Sequence, residues 1–340
     1  MRNSIADLVP YRMPSKPGVP LQWNTNRLGP SLSHFARLFE KIDISEYPDM
    51  NGTRLREALS DHYGLPPECF LVGNGADEVF DLIFKSLLNP GELAAYPGPS
   101  YTMYPHYARI NAARPLEVPL DESFDLSAES ILSTPAQLIV LCTPNNPTGN
   151  RFNAPAVETV IRSGRPVVVD EAYAEFCGQN WISRVPDFPN LMVVRTFSKA
   201  YGLAGLRVGY VAAHPDLIRV IDRARLPFNV NVVSQALAVA ALNEQSFVQK
   251  YVSLIRAERP AWSEMLSKRG FRVWPSETNF LFAGMPPGVS RDRFVADLES
   301  AGVLVRSLGD HPRLQSSFRI TIGTAEDRAT LEAALDRVLP

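Results

Sequence analysis

Six short apolar runs constrain this chain more than any other feature. They are FLVG (70–73), ELAAYP (92–97), QLIVLC (137–142), PVVVDE (166–171), LMVVRT (191–196) and RVGYVAA (207–213). Several are apolar at every position instead of alternating, which predicts strands buried on both faces of a mostly parallel sheet. Helical patterns lie between them. TRLREALSDHYG (53–64) is amphipathic and stops at Gly64, and ADEVFDLIFKSLL (76–88) carries acids in its first turn, where the helix dipole favours them. This order predicts an α/β fold with helices on both sides of the sheet. The first thirty residues, rich in Pro and Asn, read as an extended arm. After Pro227 the pattern turns helical through SQALAVAAL (234–242) and 246–268, with strands expected near 278–283 and 318–322. A chain of 340 residues exceeds what one core usually spans. The expected division is an arm with part of a small domain (1–45), a large domain (46–235) and a small α+β domain (236–340).

Composition removes several function classes. Lys plus Arg is 34 and Asp plus Glu is 36, a formal charge of −2, so no basic excess attracts nucleic acid or an anionic membrane. The N-terminus MRNSIADLVPYRMP lacks an apolar signal core. The apolar runs are far shorter than a membrane span, and a cytoplasmic protein is expected. Cys69, Cys142 and Cys177 are scattered and odd in number, as are the five histidines, so neither a disulfide framework nor a metal site is expected.

In open α/β sheets ligands bind beyond the carboxyl ends of the strands. The residues following each run there are polar: Asn74, Gly75, Ala76 and Asp77 after the first, PNNPTG (144–149) after QLIVLC, Asp170 to Tyr173 after VVV, and Thr196 to Lys199 after LMVVR. Each alone is an ordinary turn, cap or surface feature. Together they bring a glycine turn, an Asn, an Asp with a Tyr, and a Lys to one sheet edge. A glycine turn opening a helix offers N–H groups to an anion. A lysine in a cleft forms imines. An Asp beside it suits the pyridinium nitrogen of pyridoxal 5′-phosphate. Asn146 and Tyr173 suit that ring's phenolic oxygen, and Thr196, Ser198 and Arg207 suit a phosphate.

These segments, with YPD (47–49), GNGADE (73–78), PSYTMY (99–104), DEAY (170–173), RTFSKAYGLAGLRVGY (195–210) and FRITIGT (318–324), resemble the fold-type I pyridoxal-phosphate enzymes of the aspartate aminotransferase superfamily. Within them the chain looks most like the histidinol-phosphate aminotransferase group. The resemblance runs over nearly the whole chain. It implies an aspartate-aminotransferase-like fold and transamination between an amino donor and a 2-oxo acid. It implies that Lys199 carries the cofactor as a Schiff base and moves the substrate's proton, with Asp170 on the ring nitrogen. Asn146 and Tyr173 would hold the ring oxygen and Tyr101 would stack on the ring. The turn at Gly75, Ala76 and Asp77, with Thr196, Ser198 and Arg207, would hold the phosphate. It also implies a homodimer in which Tyr47 and Tyr11 reach the neighbour's site, with Tyr11, Asn24, Arg306 and Arg319 binding substrate. Tyr104 reads as a core aromatic or a site residue. The stretch LQWNTNRLGP (21–30) departs from the family, with Thr25 where Glu is usual and Arg27 where Pro is usual. Arg27 either favours an acidic substrate group or faces solvent. Threonine-phosphate decarboxylases and aromatic aminotransferases resemble the chain too. A nucleotide-binding dehydrogenase fits poorly, because GNGADE supplies only two of the glycines that motif needs.

Overall fold

The computed structural model describes residues 5, 6, 8, 16–30, 32–178, 180–309 and 311–339. The chain opens with β1 (Val19–Pro20), α1 (Leu32–Phe39) and α2 (Thr53–Tyr63). Then come β2 (Phe70–Gly73), α3 (Gly75–Leu87), β3 (Leu93–Gly98), α4 (Tyr104–Ile110), β4 (Arg114–Pro119) and α5 (Ala128–Leu132). They are followed by β5 (Leu138–Cys142), α6 (Ala154–Ile161), β6 (Val167–Asp170), α7 (Ala174–Cys177), β7 (Leu191–Thr196) and β8 (Gly209–Ala213). The last part holds α8 (Pro215–Asp222), α9 (Val232–Asn243), α10 (Ser246–Lys268), β9 (Arg272–Val273), β10 (Phe280–Gly284), α11 (Arg291–Ser300), β11 (Val303–Leu304), β12 (Arg306–Ser307), β13 (Ser317–Thr321) and α12 (Ala325–Val338).

Seven strands form the main sheet in the order β2-β8-β7-β6-β5-β3-β4. Only β8 runs antiparallel to its neighbours. The apolar runs explain why. Along β5 to β7, Ile139, Leu141, Val167, Val169, Leu191 and Val193 face one core, while Leu138, Val140, Val168, Met192 and Val194 face another. Both faces are covered, so alternation between polar and apolar residues would leave polar groups without water. The expected strand bounds differ from the observed ones by a residue or two. Edge strand β4 was not expected: RPLEVP carries two prolines, which an edge tolerates and a central strand does not.

Pairing register sets the functional edge. Cys142 lies opposite Asp170, and Gly209 lies opposite both Thr196 and Gly73. The carboxyl ends of β5, β6, β7 and β2 and the start of β8 thus lie along one edge of the sheet. A second, antiparallel sheet, β12-β13-β10-β9, comes from 272–321 and places Arg306 opposite Arg319. The arm joins it through β1 and β11, and Leu21 accepts a hydrogen bond from Thr321 N at 2.7 Å. Among the described residues no helix is long and apolar enough to cross a membrane.

Candidate active site

A cleft of about 510 Å³ opens at this edge. Asp170, Lys199, Asn146, Tyr173, Thr196, Ser198, Ala76, Asp77, Tyr101 and Arg207 line one part of it, and Trp23, Asn24, Arg306, Leu308, Leu314 and Arg319 another. A smaller cavity of about 190 Å³ lies elsewhere, between α2, β2 and α8, and holds none of these groups.

Asp170 ends β6 and is buried. Its Oδ2 accepts from the Tyr104 hydroxyl at 2.6 Å and its Oδ1 from Ala172 N at 3.0 Å. Burial pushes its carboxyl up to about 6, while the two donors oppose that rise. Lys199 follows β7, and its Nζ donates to the Trp23 carbonyl at 3.1 Å. Burial, aided by the nearby Arg319 charge, lowers its ammonium to about 7. The amine is therefore substantially neutral, as a nucleophile must be.

The polarity of two donors is fixed by their neighbours. Arg319 Nη1 donates to Asn146 Oδ1 at 2.6 Å, which turns the Asn146 Nδ2 donor elsewhere. Asn24 Nδ2 donates to the Tyr173 oxygen at 3.0 Å, and burial pushes that phenol up to about 12, so it keeps its proton. Both groups therefore bring N–H or O–H, not lone pairs, to the cleft.

At the anion end, α3 begins at Gly75 with φ +81. Its first N–H groups have no partners within the helix. A Cβ on Gly75 would lie 2.6 Å from Arg207 Nη2, so the guanidinium lies over the turn only because residue 75 is glycine. Arg207 donates to Asp77 Oδ2 at 2.9 Å, and Tyr107 and Tyr101 also donate to Asp77. Thr196 and Ser198 close this end, with Ser198 N donating to Thr196 Oγ1 at 3.1 Å.

The remaining expected residues divide. Tyr11 lies outside the described residues. Tyr47 is 79% exposed, stacks on Phe228 at 4.5 Å and does not line this cleft. Asn24 is fully buried, with φ 57; its Oδ1 accepts from the Thr321 hydroxyl and its Nδ2 holds the Tyr173 oxygen. Arg27 pairs with Asp327 at 2.5 Å, tying the arm to α12. Arg319 Nη2 also donates to the Gln22 carbonyl at 2.8 Å. Sequence reasoning left Tyr104 open and missed the carbonyls of Gln22 and Trp23, which carry no side-chain signature. It also missed the buried Arg195–Glu171 pair, 2.7 Å apart, which joins the ends of β6 and β7.

This donor set fits pyridoxal 5′-phosphate. A buried carboxylate suits a pyridinium nitrogen, two oriented donors suit the phenolic oxygen, and the glycine turn with Arg207 suits the phosphate.

The sequence profile of the class I and II aminotransferases matches residues 24–338. A histidinol-phosphate aminotransferase of Roseiflexus castenholzii is 37% identical over 363 residues, covering 99% of this chain and 98% of that protein. One from Desulfitobacterium hafniense is 36% identical over 354 residues, covering 100% and 97%. The crystal structure of histidinol-phosphate aminotransferase from Sinorhizobium meliloti in complex with pyridoxal-5′-phosphate superposes with a TM-score of 0.91. It is 26% identical, covering 100% of this chain and 97% of that one.

Proposed function

The chain belongs to the class I and II aminotransferases, and from that membership we propose that it moves the amino group of histidinol phosphate to a 2-oxo acid. The enzyme is a pyridoxal-phosphate-dependent transaminase. When bound, the cofactor supplies an electron sink for the carbon that bears the amine. The protein's own groups do the rest. Lys199 Nζ is the attachment point and the base that would carry the proton from that carbon to the cofactor in one half of the reaction and back in the other. The Asp170 carboxylate faces the ring nitrogen. Asn146 Nδ2 and the Tyr173 O–H donate to the ring oxygen, and Tyr101 covers the ring face. Gly75, Ala76 and Asp77 with Thr196, Ser198 and Arg207 hold the phosphate. The observation that carries this reading is the shared cleft of a neutral-poised lysine and a buried aspartate.

The substrate end has Arg306 and Arg319 side by side on β12 and β13, two cations for an anionic head. Trp23, Leu308 and Leu314 add an apolar wall suited to a flat ring. The names of the relatives support the same substrate. Arg27 is engaged by Asp327 and takes no part in this reading. We place Tyr47 in the neighbouring subunit's phosphate site, which makes the active unit a homodimer. Exposed Ile44, Tyr47, Leu226 and Phe228 suit such an interface. The same reading divides the chain near residues 45 and 235 into arm, large and small parts, with the enzyme acting in the cytoplasm.

Lys199→Ala tests the core of it. The variant is expected to lose the visible absorbance of the lysine-bound cofactor and at least about a thousandfold in turnover, as loss of both nucleophile and base requires. Retention of both would remove Lys199 from the chemistry.

A further inference from the structure

Tyr104 has a feature that its packing does not require. It starts α4, is fully buried, and its ring sits among Phe80 at 5.5 Å, Tyr96 at 5.9 Å and Tyr101 at 5.5 Å. A phenylalanine would fill that space equally well. The hydroxyl instead reaches Asp170 Oδ2 at 2.6 Å, a short charge-assisted bond. We propose that Tyr104 is a positioning residue that keeps Asp170 ionised and aimed at the ring nitrogen of the bound cofactor.

Asp170 sits in an unfavourable place for a charge. It is 5% exposed, the Asp77 and Glu171 carboxylates disfavour its ionisation, and the Cys142 thiol on the adjacent strand is kept neutral by burial. On the cleft side Lys199, lowered to about 7, carries only part of a positive charge to offset it. A carboxyl that takes up a proton itself cannot hold one on a pyridine nitrogen. Two protein donors counter that tendency. Ala172 N is part of the turn after β6 and no side-chain change removes it. The Tyr104 hydroxyl is the donor the side chains supply. Burial holds that phenol far above its ordinary value, so it donates and does not ionise. Three packed aromatic rings prevent it from swinging away. The same ring meets Tyr101 edge-on at 82°, so one residue braces both the ring-nitrogen partner and the residue covering the ring face.

This inference rests on the assignment of Asp170 to the ring nitrogen, and the test separates the two. Wild-type enzyme, Tyr104→Phe and Asp170→Asn are loaded with cofactor labelled with nitrogen-15 in the ring. The nitrogen shift, which reports protonation at that atom, is followed against pH. Wild type should hold the ring proton at neutral pH and Asp170→Asn should lose it. Tyr104→Phe should let Asp170 take a larger share of that proton, about tenfold in the partition between carboxyl and nitrogen, the scale of one charge-assisted hydrogen bond, so its nitrogen signal at neutral pH should lie toward the unprotonated form. Its kcat should fall about tenfold with KM nearly unchanged. Difluorotyrosine placed at position 104 keeps the ring and donates more strongly, and should move the nitrogen signal at neutral pH the opposite way. Identical titrations for Tyr104→Phe and wild type, with Asp170→Asn shifted, overturn the role of Tyr104 alone. An Asp170→Asn enzyme that keeps the ring proton overturns the Asp170 assignment and this inference with it.

Discussion

At the scale of single residues, the site works by adjusting ordinary side chains. A free lysine amine is neutral in roughly one molecule per thousand at neutral pH. Burial beside Arg319 brings Lys199 to about 7, so about half is neutral there. The protonated amine cannot attack, and deprotonation occurs as pH rises. Cofactor capture by the apoprotein should therefore accelerate as pH climbs through about 7 and level off above it. Stopped-flow absorbance measures this. A rate still climbing steeply near the ordinary lysine value would mean that the amine is not depressed. Lys199, Asp170, Asn146 and Tyr173 were legible as candidates in the sequence because each follows an apolar run, and Arg207 because it stands eight residues after Lys199 at the head of the next run. The hydroxyl of Tyr104 and the buried amide of Asn24 were not. Which way those side chains point depends on neighbours far away in sequence, such as Asp170 and Thr321.

At the scale of elements, the phosphate end depends on how closely α3 approaches β8. A Cβ on Gly209 would press on the backbone of Gly75, 2.7 Å from its carbonyl carbon, and on Ala76 N. Backbone cannot yield as a flexible side chain can. Gly209→Ala should push the first turn of α3 off the sheet. We expect cofactor affinity to fall at least about tenfold and stability to fall by about 1–3 kcal/mol. Equilibrium dialysis and urea unfolding read the two effects. Unchanged affinity would show that the turn does not hold the phosphate. Sequence patterning anticipated the central strands because burial on both faces leaves a strong apolar signal. It could not reveal that β8 reverses direction, since an apolar run has no polarity of its own. It also passed over β4, whose prolines are tolerated only because it lies at the edge.

At the scale of the whole molecule, two sheets meet around the cleft, one bringing cofactor groups and the other Arg306 and Arg319. The arm links them: Asn24 reaches Tyr173 on one side and Thr321 on the other. Tyr47 stands far out on the surface, 79% exposed, and in our reading serves the neighbouring subunit. Tyr47→Phe should leave the protein's mass in sedimentation unchanged and weaken cofactor binding about tenfold, the loss of one hydroxyl–phosphate contact. Full affinity in the variant would show that Tyr47 does not touch the phosphate. The central claim, amino transfer from histidinol phosphate, is met most directly by a single half-reaction. Loaded enzyme is mixed with histidinol phosphate without any oxo acid, while the absorbance of the bound cofactor and the products are followed. The account predicts loss of the lysine-bound band, appearance of the pyridoxamine form and one keto product per site. An unchanged spectrum with histidinol phosphate, alongside conversion by another amino donor, would contradict it.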